Sequence, residues 1–316
     1  MHRDLSLVAD IGGTNTRVAL ARGSDVQHDS VRRFSNKGAS GLETLLERYL
    51  DELTPGDLAG ACVAIAGPVR DGVGQMTNLD WRVDREGLGA VTGARKLAVL
   101  NDLQAQGHAL NHLAEDDLLR LLPQPKAPAH AAKLVVGLGT GFNAAPVHES
   151  AGGRFVPPSE CGHISLPRNT PAMAALADKL EASHHGFAAV EEALSGRGFV
   201  RVHRHLHGED LDGVEIISRL SQGDEKATGS ARLFTDILGT VMGDLALIHL
   251  PFGGLFLIGG MARAITPWLE PLGFAQSFRA KGRFSGFMDQ FGIAVVQDDY
   301  AALTGCASHL GHMTPV

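Results

Sequence analysis

Leu5-Ser6-Leu7-Val8-Ala9-Asp10-Ile11-Gly12-Gly13-Thr14-Asn15-Thr16-Arg17-Val18-Ala19-Leu20 is the stretch that decides how the rest of the chain is read. Two apolar runs flank a glycine pair, which predicts strands over Leu5 to Ile11 and Thr16 to Ala21 joined by a tight turn. Glycine permits positive φ and close approach, so the N–H groups of such a turn can point at phosphate oxygens. Thr14 adds a hydroxyl, and Asn15 and Arg17 add hydrogen-bonding capacity beside it. A plain structural hairpin is the competing reading. The spacing is neither a dinucleotide fingerprint nor a Walker A loop, and it lacks the lysine of the latter.

Two further glycine signals follow. Leu134 to Gly137 reads as a strand that delivers Gly137-Leu138-Gly139-Thr140-Gly141, and Leu255 to Ile258 delivers Gly259-Gly260. Gly139, Thr140 and Gly141 form a second backbone nest able to contact a terminal phosphate. Gly259 and Gly260 let an adenosine group lie close to the backbone, or simply turn a strand into a helix. Two phosphate-facing turns far apart in one chain suggest a nucleotide held between two halves.

Phosphoryl transfer to an alcohol requires positioning, charge neutralisation and a proton acceptor. Asp102, at the end of the apolar run Leu97 to Leu100, is the candidate acceptor, with Asn101 beside it for another hydroxyl. An Asx turn or helix cap is the structural alternative there. Asp10 is a candidate magnesium ligand, acting through water. Ser159-Glu160-Cys161-Gly162-His163 offers Glu160 and His163 to hydroxyls. That segment has no complementary zinc-ligand cluster and no oriented acid for thiol hydrolysis, so neither structural zinc nor cysteine catalysis is expected. Thr77-Asn78 and Glu191-Glu192 are further polar candidates. Together these features predict a kinase for a small hydroxylated molecule.

Bulk properties bound the same reading. The chain has 316 residues, 44% hydrophobic and 20% charged, which suits two compact α/β domains or one with a deep cleft. A formal charge of -7 argues against a general nucleic-acid role. Cys62, Cys161 and Cys306 stand far apart without Cys-x-x-Cys spacing, which predicts a reduced, cytoplasmic setting. No leader or membrane span is expected from the sequence. His203, His205 and His207 alternate, but they follow a helical pattern and read as a solvated helix end rather than a metal site.

The first third is expected to be a mixed sheet, with strands near Val31 to Phe34, Ala61 to Ala66 and Leu97 to Leu100 and a helix over Gly41 to Leu50. A second α/β unit is expected after the proline-rich stretch 123–128. Its helices lie near Pro171 to Ser183, Ala188 to His205 and Asp224 to Leu250. In open α/β sheets ligands collect beyond the carboxyl ends of strands, which is where Gly12, Gly67 and Asp102 fall.

At these residues the chain resembles the bacterial ATP-dependent glucokinases of the actin-like sugar-kinase superfamily. The resemblance is carried by Asp10 to Arg17, Ile65-Ala66-Gly67-Pro68-Val69, Met76-Thr77-Asn78, Asn101-Asp102, Gly139-Thr140-Gly141, Glu160-Cys161-Gly162-His163, Leu194-Ser195-Gly196 and Ile258-Gly259-Gly260. It implies an α/β, two-domain actin-like ATPase (ribonuclease H-like) fold with an interdomain cleft. A small domain would span 1–111, joined by a returning C-terminal helix 299–316, and a large one 112–298. It further implies ATP with Mg2+ as donor, D-glucose as acceptor and a homodimer, without nucleic-acid or membrane partners. Gly12, Gly13, Thr14, Asn15, Gly139, Thr140, Gly141, Gly259 and Gly260 would hold the nucleotide. Asp102 would be the base, with Asn78, Asn101, Glu160, His163 and Glu191 on the sugar. The resemblance also implies glycine where this chain has Asn143, Ser159 and Cys161. Another hexose, an N-acyl amino sugar, or a regulator without catalysis are the alternative functions.

Overall fold

In the computed structural model, the residues described are 5–76, 79–150 and 153–313. The chain divides into two units. The first is Met1–Glu115 with Ser150–Pro158 and Asp298–Val316, and the second is Asp116–Glu149 with Ser159–Gln297. In chain order the first unit takes β1 (Leu5–Ile11), β2 (Asn15–Arg22), β3 (Asp25–Val26), β4 (Arg32–Ser35), α1 (Leu42–Leu53) and β5 (Gly60–Ile65). A small ribbon of β6 (Val69–Arg70), β7 (Val73–Gln75) and β8 (Arg82–Asp84) follows, then α2 (Arg85–Thr92), β9 (Lys96–Asn101) and α3 (Asp102–Ala109). Next come β10 (Leu118–Leu122), β11 (Lys133–Leu138) and β12 (Phe142–Ser150) of the second unit, and β13 (Gly153–Phe155) of the first. The second unit continues through α4 (Pro171–Ser183), α5 (Val190–Ala193), α6 (Gly196–His207), α7 (Gly213–Ser221) and α8 (Glu225–His249). It ends with β14 (Leu255–Ile258), α9 (Gly260–Leu269), α10 (Phe274–Arg279) and β15 (Ile293–Val296), before α11 (Ala301–His312) rejoins the first unit.

The first unit's main sheet has the order β3-β2-β1-β5-β9, with β4 also on β2. β1 and β2 are antiparallel, whereas β1, β5 and β9 are parallel. Both faces are covered, which is why β1 and β5 read as nearly continuous apolar runs. Leu7, Ile11, Val63 and Ile65 pack with Leu46 and Tyr49 of α1 on one side. Val8, Cys62, Ala64 and Leu100 pack with Leu303, Cys306 and Leu310 of α11 on the other.

In the second unit the strand order is β10-β15-β14-β11-β12. One core holds its sheet and helices together, with Val136, Leu138 and Leu257 against Phe234, Leu238 and Val241 of α8. Asp224 caps α8 by accepting the Ala227 N–H at 2.8 Å.

Two expectations change. The helix expected over Ala188 to His205 is two, α5 and α6, because Ser195 breaks the run and caps α6 through the Gly198 N–H. His203 is not solvated. It is buried on α6, with Nδ1 2.9 Å from Ser230 Oγ, so its place is in the helix packing. Among the described residues, no group of three or more His, Cys, Asp and Glu could hold a metal ion, and no helix is long and apolar enough to cross a membrane.

Candidate active site

In the first unit the glycine turn is a hairpin. Ile11 pairs with Thr16 and Asp10 with Arg17, which leaves Gly12, Gly13 and Thr14 outside the strands. Gly12 N–H donates to Asn15 C=O at 3.0 Å, while Gly13 and Thr14 are exposed. Asn36, buried and not anticipated from the sequence, braces this turn. Its Oδ1 accepts the Thr16 hydroxyl at 2.7 Å, its Nδ2 donates to Gly12 C=O at 2.8 Å and its N–H donates to Thr14 C=O at 2.9 Å. Buried polar atoms with partners at this spacing hold a turn in one shape.

Asp10 is the penultimate residue of β1 with its side chain mostly buried, and Arg17 stands 3.5 Å away. Burial pushes its carboxyl up from the ordinary value, and the Arg17 guanidinium opposes that shift.

Parallel register sets Ile11 beside Ile65 and Ile65 beside Asn101. The hairpin and Asn101-Asp102 therefore lie at one sheet edge, two strand spacings or about 10 Å apart. Asn101 caps α3. Its Oδ1 accepts the Leu103 N–H at 3.0 Å, and Gln104 Oε1 returns to its backbone N–H at 3.0 Å. The cap expected as an alternative at this corner thus exists, and it is built by Asn101. Nδ2 of Asn101 donates to Gly67 C=O at 3.0 Å, and Gln104 Nε2 ties the turn to Val156 C=O at 2.8 Å. Asp102 occupies the first helical position, half-buried, with Oδ1 2.8 Å from the Leu103 nitrogen. Asn78 lies outside the described residues.

The second unit carries its own hairpin. Leu138 pairs with Phe142, leaving Gly139-Thr140-Gly141 as the turn, with Thr140 exposed. Gly139 N–H donates to Gly141 C=O at 2.9 Å, and Gly196 N–H at the start of α6 donates to Gly139 C=O at 2.8 Å. Glu191, on the single turn α5, accepts the Phe142 N–H at 3.0 Å through Oε2, and Arg197 stands 3.8 Å from its Oε1.

β14 runs parallel beside β11, bringing Gly259-Gly260 to the same sheet edge as this hairpin. Gly259 has φ 110°, and a Cβ there would meet Leu138 O at 2.5 Å, so only glycine fits. Gly260 opens α9 with free space around it.

Glu160 and His163 are both exposed, on a 3-10 turn over Cys161–His163. Asn143 reaches this turn rather than the glycine hairpin, its side chain bonding to Ser159, Glu160 and Cys161. Burial pushes the Cys161 thiol up, which keeps it protonated and unsuited to nucleophilic work.

The chain is similar to known proteins along nearly its whole length. The family model described as Glucokinase matches residues 7–313. A glucokinase of Xylella fastidiosa (strain 9a5c) is 31% identical over 327 aligned positions, covering 98% of this chain and 96% of the relative. One of Caulobacter vibrioides (strain NA1000 / CB15N) is 32% identical over 315, covering 96% and 94%. The crystal structure of glucokinase from an Antarctic psychrotroph superposes with a TM-score of 0.87 at 29% identity, covering 98% of this chain and 99% of that one. A hexokinase of the ROK family from Thermus thermophilus, at 19% identity and a TM-score of 0.71, shares the fold. The architecture is the α/β actin-like ATPase fold of sugar kinases. With the family model matching almost end to end, and relatives above 30% identity covering nearly the whole chain, the chain belongs to the glucokinase family.

Proposed function

We propose that this enzyme transfers the γ-phosphoryl group of ATP to the 6-hydroxyl of D-glucose, with Asp102 as the proton acceptor. The observation that carries the reading is the shared sheet edge: Asp102 follows β9 at the register where Gly12-Gly13-Thr14 follows β1. As the O6–P bond forms and the bond from Pγ to the bridging oxygen breaks, the O6 proton passes to an Asp102 carboxylate oxygen, and ADP leaves. The transition state is loose, so most of the catalysis is positioning and charge stabilisation. The exposed turn residues Gly13, Thr14 and Thr140 offer backbone N–H groups as fixed dipoles for the phosphates, those of Gly12 and Gly139 being spent inside their own turns, and Gly259-Gly260 admits the nucleoside against the backbone.

Asn101 holds a second hydroxyl with the remaining N–H of its amide, since one is committed to Gly67 C=O. Glu160 and Glu191 accept from sugar hydroxyls, and His163 hydrogen-bonds another. Magnesium fits Asp10: the ion is commonly held by one carboxylate, waters and substrate phosphates, and Asp10 lies one residue before the end of β1, close to the exposed turn. When bound, it would neutralise phosphate charge. The same reading has the enzyme act as a cytoplasmic homodimer, a stoichiometry that sedimentation of the purified protein checks.

The test is Asp102→Asn. Loss of a positioned base lowers kcat by about 10²–10⁴-fold, or roughly 3–5 kcal/mol. The same change removes a negative charge from a helix N-terminus, worth only about 0.3–1 kcal/mol of stability. Glucose binding therefore survives better than turnover. Near-normal turnover in folded D102N removes Asp102 from the base role. Product identification across glucose, other hexoses and N-acyl amino sugars tests the acceptor in the same assay.

A further inference from the structure

We infer that Asn143 is the positioning residue of the sugar site, holding the Glu160 carboxylate in place from the strand that follows the Gly139–Gly141 hairpin. The inference rests on the reading of Glu160 as a glucose ligand.

Asn143 is the second residue of β12, and its amide is fully used. Nδ2 donates to Ser159 C=O at 2.5 Å and to Glu160 Oε2 at 3.4 Å. Oδ1 accepts the Cys161 N–H at 3.0 Å and the Ala144 N–H at 2.8 Å. A carboxamide offers two donor hydrogens and two acceptor lone pairs, so no capacity is left for a ligand. Two of these bonds grip the peptide groups on either side of Glu160, the C=O before it and the N–H after it. The side chain thus stands in for a neighbouring strand and fixes the backbone of Glu160 at φ -129°, ψ 46°. The third bond reaches the carboxylate itself.

The turn is seated against the same strand from a second side. A Cβ on Gly162 would lie 1.9 Å from Phe142 O, so only glycine allows this approach. Phe142 N–H, meanwhile, donates to Glu191. Two adjacent residues of β12 therefore hold both carboxylates assigned to the sugar, directly after the turn assigned to phosphate. An aspartate or alanine at 143 would free the Ser159 carbonyl and leave Glu160 without its fixed donor. Losing the grip on both peptide groups of Glu160 together with the donor to its carboxylate is expected to weaken glucose binding about tenfold.

The experiment is a double-mutant cycle between Asn143→Ala and Glu160→Ala, read as KM for glucose, KM for ATP and kcat, with thermal melts to confirm folding. N143A is expected to raise the glucose KM about tenfold while the ATP KM stays within about twofold, and to have almost no further effect in the E160A background. Asn143→Asp keeps both accepted N–H bonds but loses the donors and sets a second negative charge beside the Glu160 carboxylate, so if N143A does not fold it should raise the glucose KM at least as much, again with almost no further effect in the E160A background. An N143A effect that persists undiminished in E160A, or one that falls on the ATP KM, overturns the inference while leaving Glu160 on the sugar. A normal glucose KM in E160A itself removes Glu160 from the site and the inference with it.

Discussion

The two glycine hairpins have similar sequences and opposite means of support. The first is braced by a neutral amide: Asn36, buried, joins Thr16 to the Gly12 and Thr14 carbonyls. The second is braced by a carboxylate, Glu191 on the Phe142 N–H, with Gly196 N–H closing on Gly139 C=O. The neutral brace serves the turn from the interior, since Asn36 is buried with its amide oxygen and nitrogen each bonded to the hairpin. A carboxylate brace keeps lone pairs for another partner, so Glu191 can serve hairpin and sugar together. On the proposed function, the difference separates a residue that only shapes the nucleotide turn from one that links it to the acceptor.

Replacing the charged brace breaks this contrast most severely. Glu191→Ala strands a buried N–H and removes a proposed hydroxyl acceptor, so kcat/KM is expected to fall by about 10²-fold or more. Glu191→Gln sharpens the point, because its amide oxygen can still accept from Phe142. It should leave the ATP KM within about twofold and raise the glucose KM about tenfold. Equal damage to both constants in E191Q would assign Glu191 to the hairpin alone. The neutral brace gives a smaller, one-sided effect. Asn36→Ala leaves the Gly12 carbonyl and Thr16 hydroxyl unpartnered, at about 1–3 kcal/mol. A lower Tm and an ATP KM raised by roughly tenfold, with the glucose KM unchanged, are the expected readings.

Much of this was legible in the chain. The strands before each glycine turn, the long α8 and the corner at Asn101-Asp102 follow from apolar runs and punctuation alone. The Asn101-x-x-Gln104 spacing also spells the capping box behind the helix cap that stood as the structural alternative at this corner. Asn36 was not legible: it sits in Ser35-Asn36-Lys37-Gly38, an ordinary loop composition, and its partners lie 20 and 24 residues away. Asn143 stood out only as a bulky residue after a glycine turn. Its partners, 16 to 18 residues on, turned an apparent obstacle into a clamp. The burial of His203 was hidden for the same reason, since a helix brought from residues 225–249 covers it.

The smallest effect concerns the support of Asp102 rather than the turns. At the far end of α3, His108 is buried with Nε2 3.1 Å from His309 Nδ1 of α11, and Arg154 donates to the His108 carbonyl. Burial, then the neighbouring His309 and Arg154, lowers the His108 pKa from 6.5 to about 3, and burial lowers that of His309 as well. In the folded pair both imidazoles stay neutral, one donating its ring N–H to the other, whereas the unfolded imidazoles take up protons below 6.5. The unfolded state then binds more protons, so stability is full above that value and declines as pH falls toward 3. Thermal melts from pH 8 to 4 should show this loss, and His108→Leu should flatten it. An unchanged slope in H108L would place the acid sensitivity elsewhere.

The helix that carries Asp102 depends on a segment far away in the sequence. α11 covers the sheet face of Val8, Cys62, Ala64 and Leu100, and a Cβ on its Gly305 would strike Ala105 O of α3 at 1.7 Å. Synthesis runs from one end, so the ribosome must finish the whole second unit before α11 exists to cover that face. The nascent first unit therefore waits with an apolar sheet surface bare, and the second unit has the first opportunity to fold to completion. The proposed base is translated early, but its helix gains its packing partner only when α11 emerges, so a chain stalled before residue 298 is expected to be both inactive and a substrate for chaperones.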